Sequence, residues 1–195
     1  MGQWLTIAGV IPSLDLDAPS RVDGWRNREV LAHLSIQPKL VARFLETAST
    51  AQPQISLVAN LSGTSTLAEA IDQAARRATD RDLNFAENVE RVAPALECAD
   101  LTATVTTMQG PIVLHDYLLT RCVEAVVHGC DFTDPIEPDA DAMDIACAAL
   151  RDVIAERHPE LLAEVDSLPA MRWLDIATGR ETPPRVLQAC CPLMT

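Results

Sequence analysis

In three long stretches of this chain, apolar residues recur three and four positions apart. That spacing gathers them on one face of an α-helix and argues against the two-residue alternation of a half-buried strand. The first stretch follows Asn27, which reads as its N-cap, and carries Val30, Leu31, Leu34, Val41, Phe44, Leu45 and Ala48. Pro38 falls inside it and predicts a kink, because proline lacks an amide proton and crowds the preceding turn. The second stretch runs from Leu114 to about Cys130, with Leu118, Cys122, Ala125 and Val126 on one stripe. Gly129 and the Asp-Phe-Thr-Asp-Pro run beginning at Asp131 read as its end. The third, ADAMDIACAALRDVIAERH, carries Met143, Ile145, Ala146, Ala149, Leu150 and Val153 and stops at Pro159. Each stripe has to be buried against another element, and the arrangement that does this is a mainly all-α bundle of about four helices. Aromatic residues make up only 4% of the chain, so the packing is expected to be aliphatic.

The remaining segments are shorter. Residues 3–12, with Trp4, Leu5, Ile7 and Ile11, read as a short helix or helical turn. Residues 49–65 are rich in Ser, Thr, Gln, Asn and Gly and read as a connection. Thr66 with Glu69 forms a capping box for the helix LAEAIDQAARRATD, from which NFAENVERVAPALE can continue. LTATVTTMQG suits a short strand or an extended loop. The chain is thus read as a bundle over residues 1–160 and a short, irregular C-terminal segment, 161–195, packing on it as a helical turn plus strand.

The formal net charge is −13, with no basic cluster. Nucleic-acid binding depends on Lys and Arg neutralising phosphates, so no nucleic-acid partner is expected. No apolar run is long enough to span a bilayer, and the N-terminus lacks the pattern of a signal peptide. The six cysteines contain no CxxC spacing and read as reduced thiols, which fits a cytoplasmic protein without a membrane partner. The adjacent Cys190 and Cys191 read as incidental.

Glu124 and His128 lie four residues apart on the second helix, so both leave the same face. Carboxylate and imidazole are good ligands for a divalent first-row metal. The competing reading is a helical ion pair worth about 0.2–0.5 kcal/mol. His33, on a separate helix beside Val30, Leu34 and Gln37, is a candidate third ligand; its alternative is a core histidine bonded to a carbonyl or carboxylate. His115 is excluded from the same site, since nine residues of helix separate it from Glu124 by roughly 13 Å. His158 ends a helix, where a surface role is expected. Cys122 and Cys130 flank the pair but are not needed to complete the set.

Two of these stretches also resemble a known family. GWRNREVLAHL resembles the entry motif of the mycothiol-dependent maleylpyruvate isomerase family, within the DinB/YfiT-like metal-binding superfamily. LLTRCVEAVVHGCDF is similar to that family's R-x-x-E-x-x-x-H-x-x-D helix, and WLDIATGR with the following ETPP resembles its C-terminal tail. The resemblance implies a DinB-like four-helix bundle and a divalent metal, usually Zn2+, held by His33, Glu124 and His128. It assigns Arg121 to a substrate carboxylate or to support of the ligands, Asp131 to orienting a ligand, and Arg180 to the active site. Plain helix-surface ion pairing is the alternative for Arg121 and Asp131. The resemblance further implies mycothiol as a thiol cosubstrate and a small electrophile as substrate. Addition of the thiolate, bond rotation and elimination would make the protein an isomerase; release of the adduct would make it an S-transferase. A non-catalytic metal-binding or stress-response module of the same superfamily is the alternative. A homodimer is compatible with all three.

Overall fold

The computed structural model describes residues 1–63 and 67–194. Helix α1 spans Gly2–Val10 and runs into a 3-10 turn at Ile11–Ser13. Helix α2 spans Asn27–Leu45. Its N-cap is Arg26 rather than Asn27, and the Arg26 N–H donates to the Glu29 carboxylate at 2.7 Å. Asn27 is used differently. Its amide donates to the Asp15 carbonyl (2.8 Å) and accepts from the Thr133 N–H (3.0 Å), tying the loop before α2 to the loop after the sixth helix. Pro38 lies inside α2 and does not end it.

The stretch 49–65 is more than a connection: it contains helix α3, Leu57–Ser62, whose start is capped by the Ser56 hydroxyl accepting from the Ala59 N–H. Composition hid this helix because its four buried residues, Leu57, Val58, Asn60 and Leu61, sit among polar neighbours. Helix α4 spans Ala68–Arg77 and α5 spans Phe85–Glu97, and a 3-10 turn at Asp80–Asp82 separates them. Thr66 of the expected capping box lies outside the described residues.

The Thr/Val-rich stretch forms a strand. β1 (Thr104–Thr107) pairs antiparallel with β2 (Gly110–Val113), Thr104 opposite Val113 and Thr107 opposite Gly110. Gly110 has φ +131°, which a residue with a Cβ would resist, and this allows the tight reversal after Gln109.

Helix α6 spans Leu114–Cys130, so Gly129 is inside it and does not terminate it. A Cβ at Gly129 would stand 3.0 Å from Gln3 Nε2, so the glycine lets α1 approach α6 closely. Helix α7 spans Ala140–Arg157 and is capped by the Asp139 side chain accepting from the Ala142 N–H at 3.1 Å. The C-terminal segment is more helical than its sequence pattern predicts. It holds α8 (Leu162–Asp166), α9 (Ala170–Ala177) and a 3-10 turn at Arg185–Leu187, with no strand among its described residues. Burial of Trp173, Leu174, Ile176, Ala177 and Leu187 drives this order.

The four longest helices, α2, α5, α6 and α7, make an all-α bundle: α2 packs on α5 and α6, and α6 on α7. Two apolar clusters meet at α6. One joins α1, α2, α5 and the hairpin to Leu114, Tyr117 and Ala125 of α6. The other joins α3, α7 and the C-terminal helices to Val123, Val126 and Val127. No helix of the described residues is long and apolar enough to cross a membrane.

Candidate metal centre

Because α6 is packed on both sides, few of its polar side chains can point inward, and two of those that do are Glu124 and His128. The four-residue spacing puts His128 Nε2 3.4 Å from Glu124 Oε2. Facing them from α2 is His33, whose Nε2 lies 2.9 Å from the same carboxylate oxygen. One ligand atom from each residue lies within 4.8 Å of the others, and this is the one such cluster of three or more found among the described residues. The two imidazoles meet edge to face with centroids 4.6 Å apart.

The chain holds this set in place from behind. His128 Nδ1 is bonded to Asp131 Oδ2 at 2.8 Å, which fixes the ring so that Nε2 faces Glu124. Asp131 is fully buried and is gripped in turn by Arg180, Nε to Oδ1 at 3.1 Å and Nη2 to Oδ2 at 2.6 Å. A third Arg180 donor reaches the Thr178 carbonyl at 2.6 Å. Trp25 stacks on His128 with centroids 6.5 Å apart and is anchored by its indole N–H to Asp72 of α4 at 2.8 Å.

The electrostatics follow from this packing. Burial alone would raise the Glu124 carboxyl, but His128 and His33 beside it and the charge of Arg121 outweigh burial and hold it well below the usual range. Burial likewise opposes charge on His128, yet Asp131 and Glu124 lift it to about 9. Burial dominates at His33 and, with the charges of His128 and Arg121, pushes it down despite the bond to Glu124. Burial also acts against the Asp131 anion, and the bonds from His128 and Arg180 overcome it and hold the group at about 2. Protonated His128 therefore donates from Nδ1 to Asp131 and turns its Nε2–H toward Glu124, which places one positive charge between two carboxylates.

This donor set fits a divalent cation. Two imidazole nitrogens and a carboxylate converge from facing helices, one imidazole is backed by a carboxylate, and a three-ligand set leaves coordination positions open. The cavity beside it is about 220 Å³ and is lined by Trp25, Ile71, Val127, Thr178, Arg180 and Met194 together with the three candidate ligands. That is below the roughly 300–1,000 Å³ of typical ligand sites and suits a small molecule or the reactive end of a larger one.

The structure separates the two predicted arginines. Arg180 lines the cavity with the triad. Arg121 instead borders a different cavity of about 590 Å³, beside α1 and α7, and touches the triad only through Gln37, whose Oε1 accepts from Arg121 Nη1. Its guanidinium also lies 4.9 Å above the Tyr117 ring. The cysteines stay out of the cluster: Cys122 Sγ faces the Ala142 carbonyl, and burial pushes the Cys130 thiol up to about 11. His115 is exposed beside Asp116, and His158 lies against Glu160. Trp25 and Gln37 are the residues to which the sequence pattern gave no role. The one available signal was position, since Trp25 precedes His33 by eight residues and Gln37 follows it by four.

Inward-facing histidine and glutamate on facing helices define this protein as a helical bundle with a candidate metal centre in its core. The profile of the mycothiol maleylpyruvate isomerase N-terminal domain matches residues 1–133, and the chain belongs to that family. The matched region contains His33, Arg121, Glu124, His128 and Asp131, and Arg180 lies beyond it. No curated protein and no solved structure matches the chain.

Proposed function

We propose that this protein is a metal-dependent, thiol-dependent isomerase or S-transferase acting on a small electrophile, with mycothiol as the thiol. The observation that carries the reading is the convergence of His33 Nε2, Glu124 Oε2 and His128 Nε2 within 4.8 Å, beside a small cavity. These three side chains would hold one divalent cation, zinc being the best match to their nitrogen and oxygen donors. When bound, the cation stabilises a thiolate over a thiol and so makes a thiol nucleophilic near neutral pH.

The chain supplies the rest. Asp131 accepts from His128 Nδ1 and presents Nε2 to the cation. Arg180 holds Asp131 with two donors and Thr178 with a third, leaving two of its five N–H groups without a partner among the described residues and available to orient a carboxylate on the substrate. Trp25, Ile71, Val127 and Met194 give the cavity apolar walls that keep bulk water from competing for the electrophile. Arg121, on the far side of Gln37, supports the site instead of contacting substrate.

Purified protein is expected to carry about one equivalent of metal by elemental analysis, and His33→Ala or His128→Ala to lose it. Full retention in both variants would sink the ligand set. Calorimetric titration with mycothiol is then expected to give binding to metal-loaded protein and none to metal-free protein. Metal binding without thiol affinity would leave a non-catalytic metal-binding module.

A further inference from the structure

The cavity of about 590 Å³ beside α1 and α7 has no part in the chemistry proposed above. Its size falls within the roughly 300–1,000 Å³ of typical ligand sites. Buried Trp4, Ala125 and Ala142 line it, with Leu96 and Leu118 half-buried beside them, so its inner surface is largely apolar. Glu97 and Asp141 are exposed and mark its rim. Set into this lining is the half-buried guanidinium of Arg121. Three neutral groups fix it: Nε donates to Thr120 Oγ1 at 3.1 Å, Nη1 donates to Gln37 Oε1, and the Tyr117 ring lies 4.9 Å away. Among the described residues no carboxylate forms an ion pair with it, and Nη2 has no partner. Its charge acts on Glu124 without contact, and Asp139, on the same cavity, is occupied with the Ala142 N–H. Charges withdrawn from water are normally paired. This one is held in advance beside an empty apolar space, with a planar donor fork that matches a carboxylate.

We propose that this cavity is a second binding site, separate from the candidate metal centre, for a small organic monocarboxylate with an apolar body. The carboxylate pairs with Arg121, and the body lies against Trp4, Leu96, Leu118, Ala125 and Ala142. Glu97 and Asp141 at the rim repel ligands with further negative charge, which selects a single carboxylate over a polyanion. The site does not depend on a bound metal.

The test titrates the full chain with octanoate and with uncharged octanamide, followed by calorimetry. Wild-type protein is expected to bind one octanoate, and octanamide at least about tenfold more weakly, the usual effect of losing hydrogen bonds to a charged group. Arg121→Met, which keeps the apolar stem and removes the charge, is expected to weaken octanoate by a similar factor and to leave octanamide little changed. Ala93→Phe narrows the cavity with Arg121 intact and is expected to weaken octanoate as well. Equal affinity of wild type for the two probes overturns the proposal, and so does equal octanoate affinity in wild type and Arg121→Met. Octanoate that is lost in Arg180→Met or His33→Ala and kept in Arg121→Met sits at the metal centre, which also overturns it. Wild-type protein that gives no heat with octanoate at millimolar concentration overturns it too, and leaves the metal reading standing.

Discussion

At the scale of single residues, Asp131 governs the centre although it would touch neither metal nor substrate. It sets the direction of His128 and is itself held by Arg180. Asp131→Asn is expected to weaken metal binding by about 10–100-fold, measured by competition with a chelator. Unchanged affinity would mean that His128 needs no backing. The same pair gives the metal-free protein a pH signature. His128 is raised from 6.5 to about 9, so the stability it contributes is full below pH 6.5 and lost as pH rises through about 9. Asp131 is lowered from 3.8 to about 2, so its contribution is full above pH 3.8 and lost as pH falls through about 2. The pair therefore stabilises metal-free protein most between about pH 4 and 6.5, and urea midpoints are expected to fall from pH 6 to pH 9 by more in wild type than in His128→Asn. Much of this centre was legible beforehand, because Glu124 and His128 share a helix face by spacing alone, His33 stood out on a separate apolar helix, and the resemblance supplied Asp131. Trp25 and Gln37 were not, because their roles depend on which helices face each other.

At the scale of elements, the periodic helices were the easy part. α2, α6 and α7 fall close to their expected limits because long apolar stripes leave little choice of period. The C-terminal helices α8 and α9 and helix α3 have five to eight residues each, too few turns for a stripe to show, and their order comes from burial of residues such as Trp173 and Leu61. Gly129 shows how local rules fail. A glycine near a helix end followed by polar residues suggests a stop, whereas this one stays helical to admit α1. Gly129→Leu is expected to destabilise the fold by about 1–3 kcal/mol through overpacking against Gln3 and Ile7, read by urea denaturation. A neutral or stabilising result would show that α1 moves away at little cost, the gain in helix propensity then winning.

At the scale of the whole molecule, the candidate ligands come from two helices, but the supports come from everywhere: Trp25 before α2, Asp72 on α4, Asp131 after α6, Arg180 and Met194 after α9. That convergence could not be read from periodicity, since α6 alone is shared by both apolar clusters and each fold of the chain around it brings one more neighbour. His33 and Glu124 lie 91 positions apart along the chain. An ion grasped by both is a removable staple across a loop of that length, closed only when the bundle is assembled. An ion that binds only the assembled form, held at a hundredfold above its dissociation constant, makes the opened form about a hundredfold rarer. A chelator should therefore leave the chain cut by trypsin up to about a hundredfold faster, wherever cleavage depends on global opening and is slow beside reclosing. Equal digestion with and without chelator would mean that the staple holds nothing shut.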